Sequence, residues 1–536
     1  MHHVATHRIK DPRLAKPLVV ALSLAALSMD ARGQALLFTI EGSAATNNLG
    51  ATGGMESLGD VDGDGTPDFA LSERVFDGVA GVDCGRVEVW SGRTGTVVRA
   101  FEGGGAGDLF GTHIRNVLDL DGDGTDDLAI AAPGFPGGAS QGKVYAYSGA
   151  TGALLWSVAG ENAGDRFSSP RGVGDATGDG INDVLMTAIG FAPNPAGFGA
   201  GKAYVCSGLD GSVQATWVGT PGAELGWNAG ALRFDANGDG RMDVVVGSRE
   251  ERTSPQGPGR VEVFGVGSAA AIVTFAGGNA GDLRCFTDDA ADVDGDGVPD
   301  LLIGAPGQNG GLGVVELVSG ANWSVTRSWL GTPEIKLGAL MKMAGDVDGD
   351  GFGDVFLPYS GFDSAANADA GVLLLISGAN GRELTRFVGE QAVGLLGANR
   401  AVNAGDLDGD GIFDHLVNAP AFNGVAGSRC GKVYAFAGND LYLNCSHEVA
   451  HANDTVTLLT TAGEPGNLVI DVLVELDGVA MFQLITPHLA FDPNGELAIS
   501  DVIDPAWGVH DATFQSYAIG RNRKLIASNT RELALR

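Results

Sequence analysis

One nonapeptide, Asp-x-(Asp/Asn/Thr)-Gly-Asp-Gly-x-x-Asp, occurs seven times in this chain of 536 residues. The copies begin at Asp60, Asp119, Asp175, Asp235, Asp292, Asp346 and Asp406, so successive starts differ by 59, 56, 60, 57, 54 and 60 residues. A period that even makes each repeat one supersecondary unit, whose apolar surface is buried only against its neighbours.

The flanks repeat as well. A short Gly-containing pair precedes each loop, as at Leu49-Gly50, Phe110-Gly111, Leu225-Gly226, Leu337-Gly338 and Leu396-Gly397. A continuous apolar run follows it (DLAIAAP, DVVVGS, DLLIGAP), the pattern of a strand buried on both faces. Next comes an alternating segment opened by Gly (GRVEVWSG, GKVYAYSG), a strand with one wetter face. A last strand ends in an aromatic near Gly (TVVRAFEG, ELTRFVG). Four short antiparallel strands and no helix, repeated seven times, predict an all-β fold, a seven-bladed β-propeller.

A linear solenoid fits less well, because its coils are shorter and because of the chain ends. The seventh repeat, residues 391–438, lacks a fourth strand, and residues 34–42 (QALLFTIEG) match the fourth strand of an earlier repeat at 152–160 (GALLWSVAG). A first strand that completes the last blade closes the ring and removes its exposed edges.

The Phe-Gly or Leu-Gly pairs, the Gly-Ala-Pro at 304–306, the Ala-Ala-Pro at 131–133 and the acidic loops together resemble the FG-GAP repeat family, best known from the integrin α-subunit head. The resemblance covers about residues 34–438 and implies the same propeller. Two blades depart from the pair: blade three has Phe167-Ser168 and blade five Cys285-Phe286. Loop motifs in all seven blades also set the chain apart from integrins.

The loops themselves predict calcium. Ca²⁺ takes six to eight oxygens, and positions one, three, five and nine offer side-chain oxygens while position seven offers a backbone carbonyl. The candidate ligands are Asp60, Asp62, Asp64, Thr66 and Asp68 in blade one; Asp119, Asp121, Asp123, Thr125 and Asp127 in blade two; and Asp175, Thr177, Asp179, Ile181 and Asp183 in blade three. Blade four offers Asp235, Asn237, Asp239, Arg241 and Asp243, and blade five Asp292, Asp294, Asp296, Val298 and Asp300. Blade six offers Asp346, Asp348, Asp350, Phe352 and Asp354, and blade seven Asp406, Asp408, Asp410, Ile412 and Asp414. Five loops carry four Asp and two carry three, 26 carboxylates in all. Such clusters repel themselves without a cation, so metal binding and folding are coupled. About seven Ca²⁺ per chain would bring the formal charge from −33 to −19. An EF-hand would need Glu at position twelve and flanking helices, whereas that position is Leu71 or Ile130 and lies in a strand.

The charge also excludes partners. With 66 acidic and 33 basic residues, the chain repels nucleic acid and anionic membranes. Residues 1–33 read as an export signal: basic and His residues to 16, an apolar run at 18–29 too short to span a bilayer, then Ala31, Gly33 and Ala35 for cleavage. The chain is therefore expected to be secreted or held at the cell surface, with no membrane insertion after signal removal.

Residues 439–536 break the repeat and read as a small C-terminal β-sandwich, whose end resembles C-terminal domains of exported bacterial FG-GAP proteins. Its segment 447–451, His447-Glu448-Val449-Ala450-His451, fits the zinc-hydrolase pattern H-E-x-x-H if it lies on a helix. Against that stand the turn at Asn453-Asp454 and the β-branched run after it. His113 and His415 read as core histidines with their hydrogen bonds satisfied. Of Cys84, Cys206, Cys285, Cys430 and Cys445, the second and third read as core. A Cys84–Cys430 or Cys430–Cys445 bridge competes with free thiols as the default.

No catalytic constellation stands out elsewhere. The long, varied loops between second and third strands (72–85, 248–259, 360–371) gather on the face opposite the acidic loops. That arrangement predicts an adhesion or recognition scaffold for an extracellular or cell-surface protein or glycan. Arg249, Glu250, Glu251 and Arg252 form the most charged of these loops.

Overall fold

The computed structural model describes residues 36–438, apart from 194–198, 254, 289–290, 348–350, 399–400 and 410–412, together with the strands alone of residues 442–535. Residues 36–438 form seven four-stranded antiparallel sheets, one per repeat. Blade one holds Met55–Gly59, Asp68–Glu73, Arg86–Trp90 and Val97–Glu102. Blade seven holds Ala401–Gly405, Asp414–Ala419 and Lys432–Phe436, and its fourth strand is Leu36–Glu41 from the start of the chain. That strand runs antiparallel to the third, with Thr39 opposite Tyr434 and Glu41 opposite Lys432. The fold is a seven-bladed β-propeller closed by its N-terminal strand.

Burial grades outward through each blade and explains the sequence pattern. Second strands such as Leu128–Ala132 and Val244–Ser248 are buried at every residue, because adjacent blades cover both faces. Third strands such as Lys143–Tyr147 alternate between buried and half-buried. Fourth strands such as Val325–Leu330 lie at the rim and alternate with exposed residues. The apolar residues meet between blades. At the ring seam, Ile40, Leu49, Met55, Phe69, Leu416 and Val433 form one buried cluster, each large side chain contributing roughly 1.5–3 kcal/mol.

A second device joins the blades. The Phe or Leu of each pair donates its N–H to the residue before the Gly that opens the preceding third strand. The bonds run from Phe110 to Cys84 (3.1 Å), Phe167 to Gln141 (3.0 Å), Leu225 to Ala200 (3.0 Å), Leu337 to Leu312 (3.0 Å), Leu396 to Ala370 (2.9 Å) and, across the seam, Leu49 to Cys430 (2.9 Å). Phe167 thus fills the place in blade three although Ser168 follows it. In blade five the donor is Arg284, which bonds Pro258 at 3.0 Å. The expected pair Cys285-Phe286 is displaced by one residue, and Cys285 stands where Gly stands elsewhere.

Cys84, Cys206, Cys285 and Cys430 are free and buried, so neither proposed bridge forms. The thiols of Cys84 and Cys430 instead reach carbonyls of their own loops, Phe76 at 3.5 Å and Phe422 at 3.6 Å. His415 is fully buried edge-on to Phe356, with ring centroids 5.1 Å apart. It departs from the expected satisfied core histidine, since neither ring nitrogen has a hydrogen-bond partner among the described residues. Among the described residues no helix is long and apolar enough to cross a membrane.

Past residue 438 the strands form two sheets. One has three strands, Tyr442–Cys445, Thr455–Thr461 and Leu497–Val502, and the other has six. Val449–Ala450 belong to the six-stranded sheet and pair in parallel with Ala534 and Leu535. The helix required to put two histidines on one face is not formed there, and His447, Glu448 and His451 lie outside the described residues.

Candidate metal centres

Each acidic loop is the hairpin between the first two strands of its blade, and its own aspartates shape it. In blade one, Asp60 Oδ1 accepts the N–H groups of Gly63 (2.7 Å) and Asp64 (3.1 Å), while Oδ2 accepts that of Gly65 (2.8 Å). The two glycines sit at φ +79° and +89°, where a side chain would be strained. The same capture recurs at Asp119, Asp175, Asp235 and Asp292.

Position nine does different work. Asp68, Asp127, Asp183, Asp243, Asp300, Asp354 and Asp414 are all fully buried. One oxygen of each accepts the N–H of position two, from Val61 at 2.9 Å to Leu407 at 2.7 Å. In blades one, two, three, five, six and seven the other oxygen takes an N–H just past the third strand, such as Gly92 (3.0 Å), Gly149 (2.9 Å) or Gly438 (2.6 Å). The carboxylate therefore ties the loop to the third strand. Burial, together with the neighbouring carboxylates, pushes Asp127 and Asp243 up to about 6 despite these bonds. An anion held that way gains from a nearby cation.

Among the described residues, the loops of four blades gather three carboxylates whose ligand oxygens lie within 4.8 Å of one another. These are Asp60, Asp62 and Asp68; Asp119, Asp121 and Asp127; Asp292, Asp294 and Asp300; and Asp406, Asp408 and Asp414. Hard oxygen donors at that spacing could hold a metal ion, and they suit Ca²⁺ or Mg²⁺ rather than a softer ion. Asp64, Asp123 and Asp296 at position five are not part of these groups. Oδ1 of Asp64, Asp123, Asp179, Asp239 and Asp296 accepts the N–H of position seven (Thr66, Thr125, Ile181, Arg241, Val298) at 2.8–3.0 Å. In blades three and four, Thr177 and Asn237 leave two carboxylates where the others have three, and the Asn237 amide lies 3.4 Å from Asp243 Oδ1. Asp346, Phe352 and Asp354 keep their places in blade six, but Asp348 and Asp350, like Asp410 and Ile412 in blade seven, lie outside the described residues.

On the opposite face the charged residues of the blade-four loop are ion-paired, one pair within the loop and two to its neighbours. Arg249 meets Glu251 and stacks over Trp227 at 4.2 Å, Glu250 meets Arg260 at 2.7 Å, and Arg252 meets Glu224 at 3.2 Å.

Comparison with known proteins agrees with this architecture. The FG-GAP repeat pattern matches residues 110–147 and 398–436. Mouse (Mus musculus) integrin alpha-E is 35% identical over 174 residues, 28% of this chain and 14% of that protein. Human (Homo sapiens) integrin alpha-11 is 34% identical over 173 residues, 29% of this chain and 14% of that protein. This chain spans about a seventh of the length of the curated relatives it matches. Among solved structures, a superoxide reductase (neelaredoxin) from Ignicoccus hospitalis aligns with 18% of this chain and 80% of its own at 9% identity and a TM-score of 0.15, which carries no argument.

Proposed function

We propose, from the premise that FG-GAP repeats here close into a seven-bladed propeller, that this chain is an exported, calcium-loaded recognition scaffold for a cell-surface or extracellular protein or glycan. On this reading residues 1–33 are the export signal, 34–438 the propeller, and 439–536 an appended β-sandwich of the kind found on exported bacterial proteins. The chain binds rather than catalyses.

One observation carries the reading: the two ends of the ring are built to different rules. One end repeats a single acidic hairpin in every blade, and among the described residues four of these hairpins gather three carboxylates at metal-ligand spacing. The other end varies in loop length, charge and composition from blade to blade above an unchanging frame. Variable loops on a rigid scaffold are where binding sites are placed. Calcium fits the donor set, and an ion bound only to the folded chain stabilises it by mass action.

Metal content measured on the purified chain should give about seven calcium ions and no stoichiometric zinc, and chelation should lower the melting temperature. Fewer than half that number of ions in folded protein at saturating calcium would overturn the calcium assignment. The scaffold assignment is tested by exposing the calcium-loaded chain to protein and glycan arrays. Silence on both would overturn it.

A further inference from the structure

Three blades share one clasp at the end of the ring opposite the acidic hairpins, and in one of them the clasp is incomplete. The Gly that opens the third strand is followed by Lys143 in blade two, Lys202 in blade three and Lys432 in blade seven, with Tyr145, Tyr204 and Tyr434 two residues on. Each ammonium takes the same pose over two rings. Lys143 lies over Phe135 (5.1 Å) and Tyr145 (4.6 Å), Lys202 over Phe191 (4.9 Å) and Tyr204 (4.8 Å), and Lys432 over Phe422 (4.6 Å) and Tyr434 (4.9 Å).

In blades three and seven the clasp closes on a glutamate. Lys202 Nζ donates to Glu161 Oε1 at 2.6 Å, and the Tyr204 hydroxyl donates to the same oxygen at 3.1 Å. Lys432 and Tyr434 donate likewise to Glu390 Oε1, at 2.8 and 2.7 Å. The Lys202 bond holds the Glu161 carboxyl below its ordinary value, as a charge-assisted bond to the anion does.

Blade two has the lysine and the tyrosine but no glutamate. Glu161 and Glu390 each follow the Gly that ends the preceding blade's fourth strand, Gly160 and Gly389, whose N–H groups donate to Gly142 and Gly371 at 3.0 Å. Gly103 makes the same bond to Gly85 at 2.9 Å, so the residue in the glutamate's place is Gly104. Gly104 is exposed, and a methyl group added to it would meet nothing within 4 Å. Among the described residues Lys143 makes no ion pair and the Tyr145 hydroxyl no hydrogen bond. The arginines at the lysine's place are paired: Arg86 meets Glu88 in blade one, and Arg260 meets Glu250 and Glu262 in blade four. The charge of Asp108 acts on Tyr145 as that of Asp165 acts on Tyr204, and Glu161 docks beside Asp165 all the same.

We infer that Lys143 and Tyr145 form a docking site for the glutamate side chain of a partner protein, which takes over Gly104 the place that Glu161 and Glu390 fill in their own blades. The two closed clasps carry the choice of ligand, since both hold a glutamate by one carboxylate oxygen between an ammonium and a phenol. The inference deepens the proposed function and rests on it, because the connections at this end of the ring belong to the face read there as the binding face.

A single exposed ion pair is weak, so the site is a specificity contact within a larger interface, and saturation-transfer NMR suits it. The full calcium-loaded chain is titrated with the blocked peptide Gly-Glu-Asn-Ala-Gly, the sequence of residues 160–164, and with its Gln counterpart. The Glu peptide should bind, and the Gln peptide about tenfold more weakly. Lys143→Gln should weaken the Glu peptide by about tenfold, whereas Lys202→Gln should leave it unchanged, because that clasp is already filled. Gly104→Glu supplies the carboxylate within the chain and should weaken the peptide by about tenfold or more; it keeps the test valid even where Lys143→Gln fails to fold. Equal binding of the two peptides, no binding of either, or binding untouched by Lys143→Gln and Gly104→Glu (as capture by calcium on the other face would give) each overturns the site. Binding of a glucuronate disaccharide that depends on Lys143 while the peptide stays silent overturns the choice of a protein partner. Array hits alongside a silent peptide overturn this site and leave the scaffold reading standing.

Discussion

Gly85 opens the third strand of blade one at φ +84°, and a methyl group on it would stand 2.1 Å from the carbonyl oxygen of Phe110 and 2.6 Å from its nitrogen. Neither atom moves cheaply, because the Phe110 N–H is bonded to Cys84 at 3.1 Å and docks blade two onto blade one. Left-handed backbone costs an L residue about 1–2 kcal/mol, and forcing an added methyl into packed surroundings costs about 1–3 kcal/mol. Gly85→Ala should therefore destabilise the ring by about 2–5 kcal/mol. Gly95 supplies the control: it sits at φ +64° with nothing within 4 Å of an added methyl, so Gly95→Ala carries only the backbone cost. At about 2.1 cal/mol/K of unfolding entropy per residue, a ring of about 400 residues loses roughly 1.2 °C for each kcal/mol. Scanning calorimetry in saturating calcium should then show a fall of about 2–6 °C for Gly85→Ala and about 1–2 °C for Gly95→Ala. Equal falls would refute the idea that this close approach between blades, rather than backbone freedom alone, is what demands glycine.

Four further outcomes are expected. Asp294→Ala should remove one calcium ion, read by native mass spectrometry, and leave the rest, because each loop draws its ligands from its own hairpin; Thr177→Asp should raise affinity in blade three by adding the missing carboxylate. Deleting residues up to 42 removes five registered pairs with Lys432–Phe436 and the buried Ile40, a loss of about 5–8 kcal/mol, so the chain should aggregate on size-exclusion chromatography; a stable monomer would show that another segment closes the blade. His415→Leu should stabilise the ring by about 1–3 kcal/mol of relieved desolvation, read as a higher melting temperature in calcium and in chelator alike, and a fall would mean that the imidazole has a partner.

The ring was legible because two signals repeat together, the acidic nonapeptide and the alternation of buried and half-buried strands. Even the closing strand could be read, since residues 34–42 share their apolar pattern with 152–160. The pair in blade five was misplaced by one residue because Phe286 looks like the aromatic of the pattern. A better signal was present: the docking residue follows the strand-opening Gly by 24 or 25 residues, as with Gly201 and Leu225 or Gly85 and Phe110, and counting from Gly259 gives Leu283 or Arg284 and excludes Cys285. His415 shows a different limit. Its burial follows from the strand pattern, but whether its nitrogens are paired depends on contacts with blade six, which no local pattern encodes.

The position of the acidic loops within each blade bears on what calcium would do there. In blade one the second strand runs from Asp68 at the acidic-hairpin end to Glu73 at the opposite end, and every residue between is buried. Asp68 is bonded to Val61, Asp62 and Gly92, while Glu73 accepts from the N–H (2.5 Å) and hydroxyl (2.6 Å) of Ser43 in the seam. A strand pinned at both ends and packed on both faces has no second register open to it, because a slip of one residue would exchange its two faces. Occupancy at one end can therefore tighten or loosen a hairpin but has no bistable element through which to reset the loops at the other, which a switch requires. On the proposed function, that favours calcium as a staple that keeps the opposite loops rigid, so the affinity of a ligand bound there should hold steady across calcium concentrations until the blades themselves begin to unfold.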